Sequence, residues 1–417
     1  MTANYEVKDI ALAEQGKLNI ELAEMRMGSL MKIRERFEKE KPFVGLTIGM
    51  ALHITKETAV LVKTLVSGGA KVAIASCNPL STQDDVAAAL AKEGIAVYGY
   101  KGENKEEYYR YIEAVIAHKP HITIDDGMDL VTQIHTKHPE LIKDIIGGCE
   151  ETTTGVIRLH AMAKDGKLKY PVVAVNDNKT KHLLDNYYGT GQSSIDGILR
   201  ATNVLLAGKT LVLCGYGDCG KGVALRASGM GANVIVAEVD AFRAMTAVLD
   251  GYRVMPLMEA VAIGDIFLTV TGNKHILGLE HMKKMKDGAI LSNAGHFDNE
   301  IDIEGMNANG KKRRMRPFMD EYEIFGRRLY VLAEGRLVNL GAAEGHPSEV
   351  MATSFCGQSL ACEYLVKNKG KMKPEVITLP EEIDNKIAEL QLEAMGVTKD
   401  ELTQEQKKYL GSWEEGT

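Results

Sequence analysis

The sequence predicts an α/β protein: two doubly wound domains facing each other across a cleft, followed by a short C-terminal helical tail. Three observations carry that expectation. At 417 residues the chain exceeds what one core usually organises. Both halves alternate short β-rich runs with helical periodicity. In the second half, Gly215-Tyr216-Gly217-Asp218-Cys219-Gly220 lies between a strand-like run, Lys209 to Cys214, and a helix-like segment, Lys221 to Met230.

In the first half, strands are expected over Val44 to Met50, Lys71 to Ser76, Ala96 to Tyr100, Ile122 to Ile124 and Val172 to Val175. Helices are expected between them, as over Thr55 to Val66 and Thr82 to Lys92, with Gly68-Gly69 and Gly94 as stops. The second half repeats the scheme with strands near 209–214, 233–238, 265–270, 289–293 and 329–332. From Ser348 the chain turns helical to Lys367, then passes Pro374 and Pro380 into a helix over Glu381 to Leu392. The amphipathic tail, Leu402 to Leu410, has few apolar residues of its own to bury and is expected to dock on a neighbouring subunit.

The glycine run stands in the context a dinucleotide site requires, strand then helix then strand. Gly215 permits a tight turn, Gly217 admits a pyrophosphate against the backbone, and Gly220 lets helix pack on strand. The helix N-terminus offers unpaired N–H groups to the phosphates. Glu238, ending the next β-rich run, is placed to accept from a ribose 2′-hydroxyl, which favours NAD over NADP.

Composition excludes other classes. Hydrophobic residues make up 45% and charged residues 26%, ordinary for a globular protein, and the net charge of −7 disfavours nucleic acid or an anionic membrane as partner. Lys311-Lys-Arg-Arg314, the basic cluster, reads as a solvated loop or helix end. No apolar run is long enough to span a bilayer and no signal core opens the chain, so a cytoplasmic protein is expected. The six cysteines have neither ligand nor framework spacing and read as reduced thiols. His135 and His138 imitate a metal pair that nothing completes, so no metal is expected.

In the first domain, polar groups fall just past strand ends: His53 and Thr55, Asp125 and Asp126, Asn176 and Asp177. Convergence of three strand ends points to a ligand crevice, although each residue alone is more often a cap or turn residue. Lys181 and Asp185, four apart, share a helix face; unaided, they would read as an exposed ion pair.

Together these segments resemble the S-adenosylhomocysteine hydrolase family over nearly the whole chain. The carriers are Leu52 to Ala59, Ser81 to Asp84, Asp125-Asp126-Gly127, Glu150 to Gly155, Val175-Asn176-Asp177, Asp185-Asn186, Gly215 to Asp218, Gly295 to Asp298, and Gly335 to Asn339 with Gly345-His346-Pro347. The resemblance implies a substrate domain over 1–186 and 347–393, a Rossmann-like NAD domain over 187–346, and a tail, 394–417, making an oligomer contact. It further implies a homotetramer that reversibly splits S-adenosylhomocysteine into adenosine and homocysteine. In that chemistry the ribose 3′-hydroxyl is oxidised, the C4′ proton becomes acidic, homocysteine leaves by elimination, water adds, and reduction restores the sugar.

By resemblance, Lys181 takes the 3′-hydroxyl proton and Asp185 orients it; a lysine base calls for a lowered pKa. Asp126 and His53 handle the C4′ proton and the water or leaving thiolate, while Glu151 and Asn176 hold the ribose. Thr55 and Glu57 reach the purine, and His346 closes near the cofactor and nucleobase. His296, within Ala294-Gly295-His296, faces the nicotinamide. The implied NAD contacts are Thr152, Thr153, Thr154, Asn186, Glu238 and Asn339, beside Gly217, Asp218, Cys219, Gly220, Lys221 and Gly222 of the glycine loop.

Departures from the family pattern are Thr190 for a cysteine, Arg243 for an asparagine on the adenosine ribose of NAD, a missing inserted segment, and no Lys/Tyr arm before Gly416-Thr417. Glu344 replaces a methionine beside the purine. Its carboxylate could accept from the adenine amino group or from N1–H of hypoxanthine, so S-inosylhomocysteine is the alternative substrate. Rival readings are a silent NAD-binding regulatory relative and a 2-hydroxy acid dehydrogenase. Retention of His53, Asp126, Glu151, Lys181 and Asp185 together speaks against both.

Overall fold

The computed structural model describes residues 4–413 and contains two eight-stranded sheets. In spatial order the first comprises Tyr5–Glu6, Ala96–Tyr98, Lys71–Ala75, Thr47–Ala51, Ile122–Asp125, Gly147–Glu150, Val172–Ala174 and Val376–Ile377. Every pairing in it is parallel. The second runs Arg253–Val254, Asn233–Ala237, Thr210–Cys214, Ile266–Thr269, Ala289–Asn293, Arg327–Leu332, Met319–Ile324 and Lys311–Arg316. Its first six strands are parallel and its last two are antiparallel.

Strand order reverses at Thr47–Ala51 and Ile122–Asp125 in the first sheet, and at Thr210–Cys214 and Ile266–Thr269 in the second. Such switch points open a crevice beyond the carboxyl ends of the strands. His53 and Asp126 follow the first pair, Gly215 and Thr271 the second.

The central strands are almost wholly buried because helices cover both faces. The helix Ser348–Lys367 returns from the second half of the chain to the first sheet. There Phe355, Leu360 and Leu365 join Met27, Leu30, Phe37 and Ile48 in one core. A helix Lys179–Lys181 runs into a π-helical stretch, His182–Gly189, and on into Thr190–Thr202, linking the two sheets.

Two expectations need correction. Lys311–Arg316 is an exposed edge strand, not a loop or helix end. It is held by Arg313 on Glu321 (2.6 Å) and Arg314 on Asp320 (2.5 Å), each pair lying opposite in the ladder. Gly147–Glu150 is a central strand despite its glycines: side chains at Gly147 and Gly148 would collide with Leu365 and Thr123. His135 and His138 each have other partners within the fold. The first stacks on Tyr170 and bonds Val131 O, and the second sits 2.6 Å from Glu113.

All six cysteines are free, and no helix among the described residues is long and apolar enough to cross a membrane. The tail helix Gln404–Leu410 has no buried residue; Gly416-Thr417 lie outside the described residues.

Away from the cleft, Glu103 is buried with one carboxyl oxygen lacking a partner, and burial pushes it up to about 8. The folded state therefore holds a proton that the unfolded state has released between pH 4.5 and 8, so stability falls as pH rises through that window. Glu103→Gln is expected to stabilise by roughly 2 kcal/mol or more at pH 8.5 and to be near neutral at pH 5. Thermal melts at the two pH values measure this.

Candidate active site

Between the carboxyl ends of the two sheets lies a cavity of about 1070 Å³. The first half lines it with His53, Thr55, Glu57, Asp126, Glu151, Lys181 and Asp185, and the second with Gly217, Glu238, His296, Asn339 and His346.

Lys181 is the charged centre of the first side. Its ammonium lies 3.6 Å from both Glu151 and Asp185 and donates to Asn186 Oδ1 at 2.8 Å and Asn176 Oδ1 at 3.4 Å. The Asn186 contact spans five residues, a spacing that the wider π turn brings onto one face. The pair with Asp185 is buried, not an exposed surface bridge. Burial works to lower the Lys181 ammonium, but Asp185, Glu151 and Asp126 outweigh it and hold it above its ordinary value. The lowered lysine expected from a base role is thus not what the site builds. Burial likewise works to raise Asp185, yet Lys181 and His346 bring it down to about 2. Glu151 is lifted by burial, against Lys181, to about 7.

A second cluster surrounds Asp126. His53 Nε2 approaches its Oδ2 at 3.3 Å, and His296 Nδ1, from the other half, approaches Oδ1 at 3.4 Å. Burial drives His53 down to about 4 although Asp126 opposes this, so the ring is neutral near pH 7. Asp125 turns away from the cavity, accepts from the Asp126 and Val131 amides, and is pushed by burial up to about 8. Gly127, at φ +101°, leaves the space the His296 ring fills; any side chain there would collide with it.

The cofactor side is built from backbone. Gly215 sits at φ +102°, and beyond it the helix Asp218–Gly229 begins at Gly217 with no side-chain cap. A Cβ on Gly217 would meet nothing within 4 Å, so backbone faces open cavity. These are the features an anionic pyrophosphate uses. Asn339 donates to Ser193 Oγ (3.2 Å), while its buried Oδ1, at the cavity wall, lacks a partner and can accept from a carboxamide. Glu238 accepts from the backbone amides of Tyr216 and Val239 (both 2.7 Å) and Asp240 (3.0 Å), which fixes its charge at the end of the Asn233–Ala237 strand. The residues present fit a dinucleotide. A 2′-phosphate would face that carboxylate, so Glu238→Ser is expected to narrow a preference for NAD over NADP by about tenfold or more, read from the two Kd values.

Glu57, also at the cavity, is buried and accepts from Ser348 Oγ at 2.6 Å. Glu344 differs from the buried acceptor the sequence suggested. Its side chain is 58% exposed and is clasped by Lys56 (2.9 Å) and Arg200 (3.3 Å), bridging the two halves at the cavity rim.

Of the remaining expected residues, Thr152, Thr153, Thr154, Asp218, Cys219, Arg243, Ala294 and Gly295 all line the cavity. Asn176, Gly220, Lys221 and Gly222 do not. Asn176 supports Lys181 from behind, Gly220 packs on the Gly215 carbonyl, and Gly222 packs on Tyr187. Sequence reasoning missed Ser354 and Gln358, which both donate to the Glu151 carboxylate, and Cys77 and Ser81, which flank His53 Nδ1 at 3.2 and 2.8 Å. Polar residues four apart within the helical run Ser348–Lys367 were the available signal for the first two.

Comparison with known proteins agrees with this geometry. The S-adenosyl-L-homocysteine hydrolase family model matches residues 4–139, and the model of that family's NAD-binding domain matches 186–345. An adenosylhomocysteinase of Saccharolobus solfataricus is 59% identical, covering 99% of this chain and all of that protein. An S-inosyl-L-homocysteine hydrolase of Methanocaldococcus jannaschii is 57% identical over 99% of this chain and all of that one. Among solved structures, a dipicolinate synthase chain from Bacillus halodurans shares the fold at 11% identity, with TM-score 0.50 and coverage of 78% of this chain and 99% of that one. Two family-specific domains in order, and full-length relatives well above half identical, place the chain in the S-adenosyl-L-homocysteine hydrolase family.

Proposed function

We propose that this NAD-binding hydrolase cleaves S-adenosyl-L-homocysteine reversibly to adenosine and homocysteine. The observation that carries the reading is one cavity shared by the Lys181–Asp185–Glu151 centre, the His53–Asp126–His296 cluster and the glycine turn. NAD, when bound, supplies reversible oxidation at the ribose 3′-carbon.

The chain's own groups do the rest. Asp185 and Glu151 orient the ribose hydroxyls and hold Lys181 between them. Lys181 is an ammonium in the substrate-free site, so it steadies the developing alkoxide. Glu151, 3.6 Å away and titrating about 7, is the neighbour placed to exchange the 3′-hydroxyl proton with it. Neutral His53 and Asp126 exchange protons at C4′ and at the departing sulfur or entering water. Contacts across the cleft, His296 on Asp126 and Lys56 on Glu344, exclude bulk water.

Adenine is the proposed base, its amino group donating to Glu57; hypoxanthine is the second reading, favoured by the relative of that name. Purified protein is incubated with homocysteine and either adenosine or inosine, and thioether formation is followed chromatographically. Adenosine is expected to react without net NADH release. Product from inosine alone would replace adenine by hypoxanthine, and no thioether from either would indicate a silent regulator.

The assignment of 1–186 with 347–393 to substrate, 187–346 to NAD and 394–417 to a subunit contact belongs to the same proposal, as do a cytoplasmic site and a homotetramer. Exposed Leu410 and Trp413 on the tail support the contact. Light scattering of the full chain and of a chain cut after 393 tests it, with a smaller assembly expected from the second.

A further inference from the structure

A second cavity, of about 430 Å³, opens at the amino ends of the strands Ile122–Asp125, Gly147–Glu150 and Val172–Ala174, away from the catalytic cleft. His121, on its wall, immediately precedes the strand that Asp126 follows. At ~3.3 Å per strand residue the two lie roughly 16 Å apart, so this recess is separate from the substrate and cofactor sites. Its wall gathers cations from three segments: Lys143 from the 3₁₀ turn Pro139–Asp144, Lys169 from the approach to Val172–Ala174, and Lys369 from the turn after the helix Ser348–Lys367. Asp144 is the single carboxylate among the lining residues. We propose that this recess binds a phosphorylated small molecule of nucleotide size, independently of NAD and of the thioether substrate.

The donors are free for such a ligand. Neither the Lys143 nor the Lys369 ammonium has a partner among the described residues, and that of Lys169 rests on the Gly166 carbonyl at 2.8 Å. His121 accepts from the Thr47 amide at Nδ1 (3.0 Å), which places the proton of the neutral ring on Nε2 as a further donor. Lysines are compact point charges that hold phosphate without a fixed planar geometry. Like charges around one recess repel, and a bound anion relieves them. The rest of the wall is apolar: Ile145, Ile146 and Tyr170 are buried and Met372 is half-buried, a surface for the organic body of the ligand. The volume lies within the ~300–1,000 Å³ of small-molecule sites. A net charge of −7 on the chain disfavours a polymeric polyanion in the same place.

The sequence does not announce the site, since the lysines come from distant segments. The test is calorimetric titration of the full, NAD-loaded chain with uridine diphosphate and, separately, inorganic pyrophosphate, in about 0.15 M salt. Excess adenosine keeps the catalytic cleft filled. Uridine diphosphate is expected to saturate at one equivalent per chain and to bind at least about threefold more tightly than pyrophosphate, through its organic body. Lys143→Gln with Lys369→Gln is expected to weaken both probes at least about 10-fold while leaving the melting temperature and the probe-free rate unchanged. Lys407→Gln with Lys408→Gln removes the same charge from the tail and is expected to leave both Kd values as they were. Absence of saturable binding, equal weakening in the two double variants, displacement by further NAD, or equal Kd values for the two probes overturns the proposal.

Discussion

Lys181→Ala is expected to lower kcat by about three orders of magnitude while leaving the protein able to bind NAD. The side chain is buried and its ammonium contacts Glu151, Asp185, Asn176 and Asn186 at once, so no neighbour can substitute for it. Its removal leaves Asp185 with the His346 ring, 3.0 Å away, as its remaining ion-pair neighbour. Glu151, already at about 7 with the lysine present, then moves further up and stays protonated at neutral pH. Steady-state rates and a fluorescence titration of NAD separate the two effects. A kcat reduced less than tenfold would exclude Lys181 from the chemistry. Lys181→Arg is not expected to rescue, because the larger planar guanidinium cannot reproduce the compact ammonium's simultaneous contacts with Glu151, Asp185, Asn176 and Asn186.

Gly222→Val is expected to lower the melting temperature by roughly 5–10 °C and to cost NAD retention. A Cβ at this position would run into the Tyr187 carbonyl oxygen, and backbone cannot swing aside as a flexible side chain can. Its neighbour across the contact, Gly191, similarly meets the Gly222 backbone. The two glycines let the helix Asp218–Gly229 lie flush against the segment that joins the halves. Seven residues on, Gly229 has nothing within 4 Å of its would-be Cβ, so Gly229→Ala serves as the control and is expected to be neutral or slightly stabilising. Equal melting temperatures for Gly222→Val and the unaltered protein would show that the contact carries no weight.

The strands around the glycine turn were legible because apolar, β-branched runs there are long, buried on both faces and bounded by turn residues. Tyr5–Glu6, Arg253–Val254 and Val376–Ile377 were not, since two-residue edge strands owe their existence to a neighbour and not to their own composition. Gly147–Glu150 was hidden for the opposite reason. Close packing demanded glycines that weaken any strand signal. In the site, the groups past strand ends were readable individually. Their charge states were not, because Lys181 is held high by Asp185 together with Glu151 and Asp126 from other strand ends, and His53 falls through burial that exists only in the folded chain.

The π-helical stretch His182–Gly189 sets a limit of a different kind. An α-helix advances about 100° per residue, so inserting one further residue into this stretch without a further bulge would rotate everything downstream by about that angle. Lysine and asparagine five apart would lose their common face, and the nucleotide half would swing out of register with the sugar half. In this linker, substitutions away from Asp185, Asn186 and Gly189 are tolerable in principle, whereas a change of length is not: its residue count acts as the gauge block that sets the two halves in alignment.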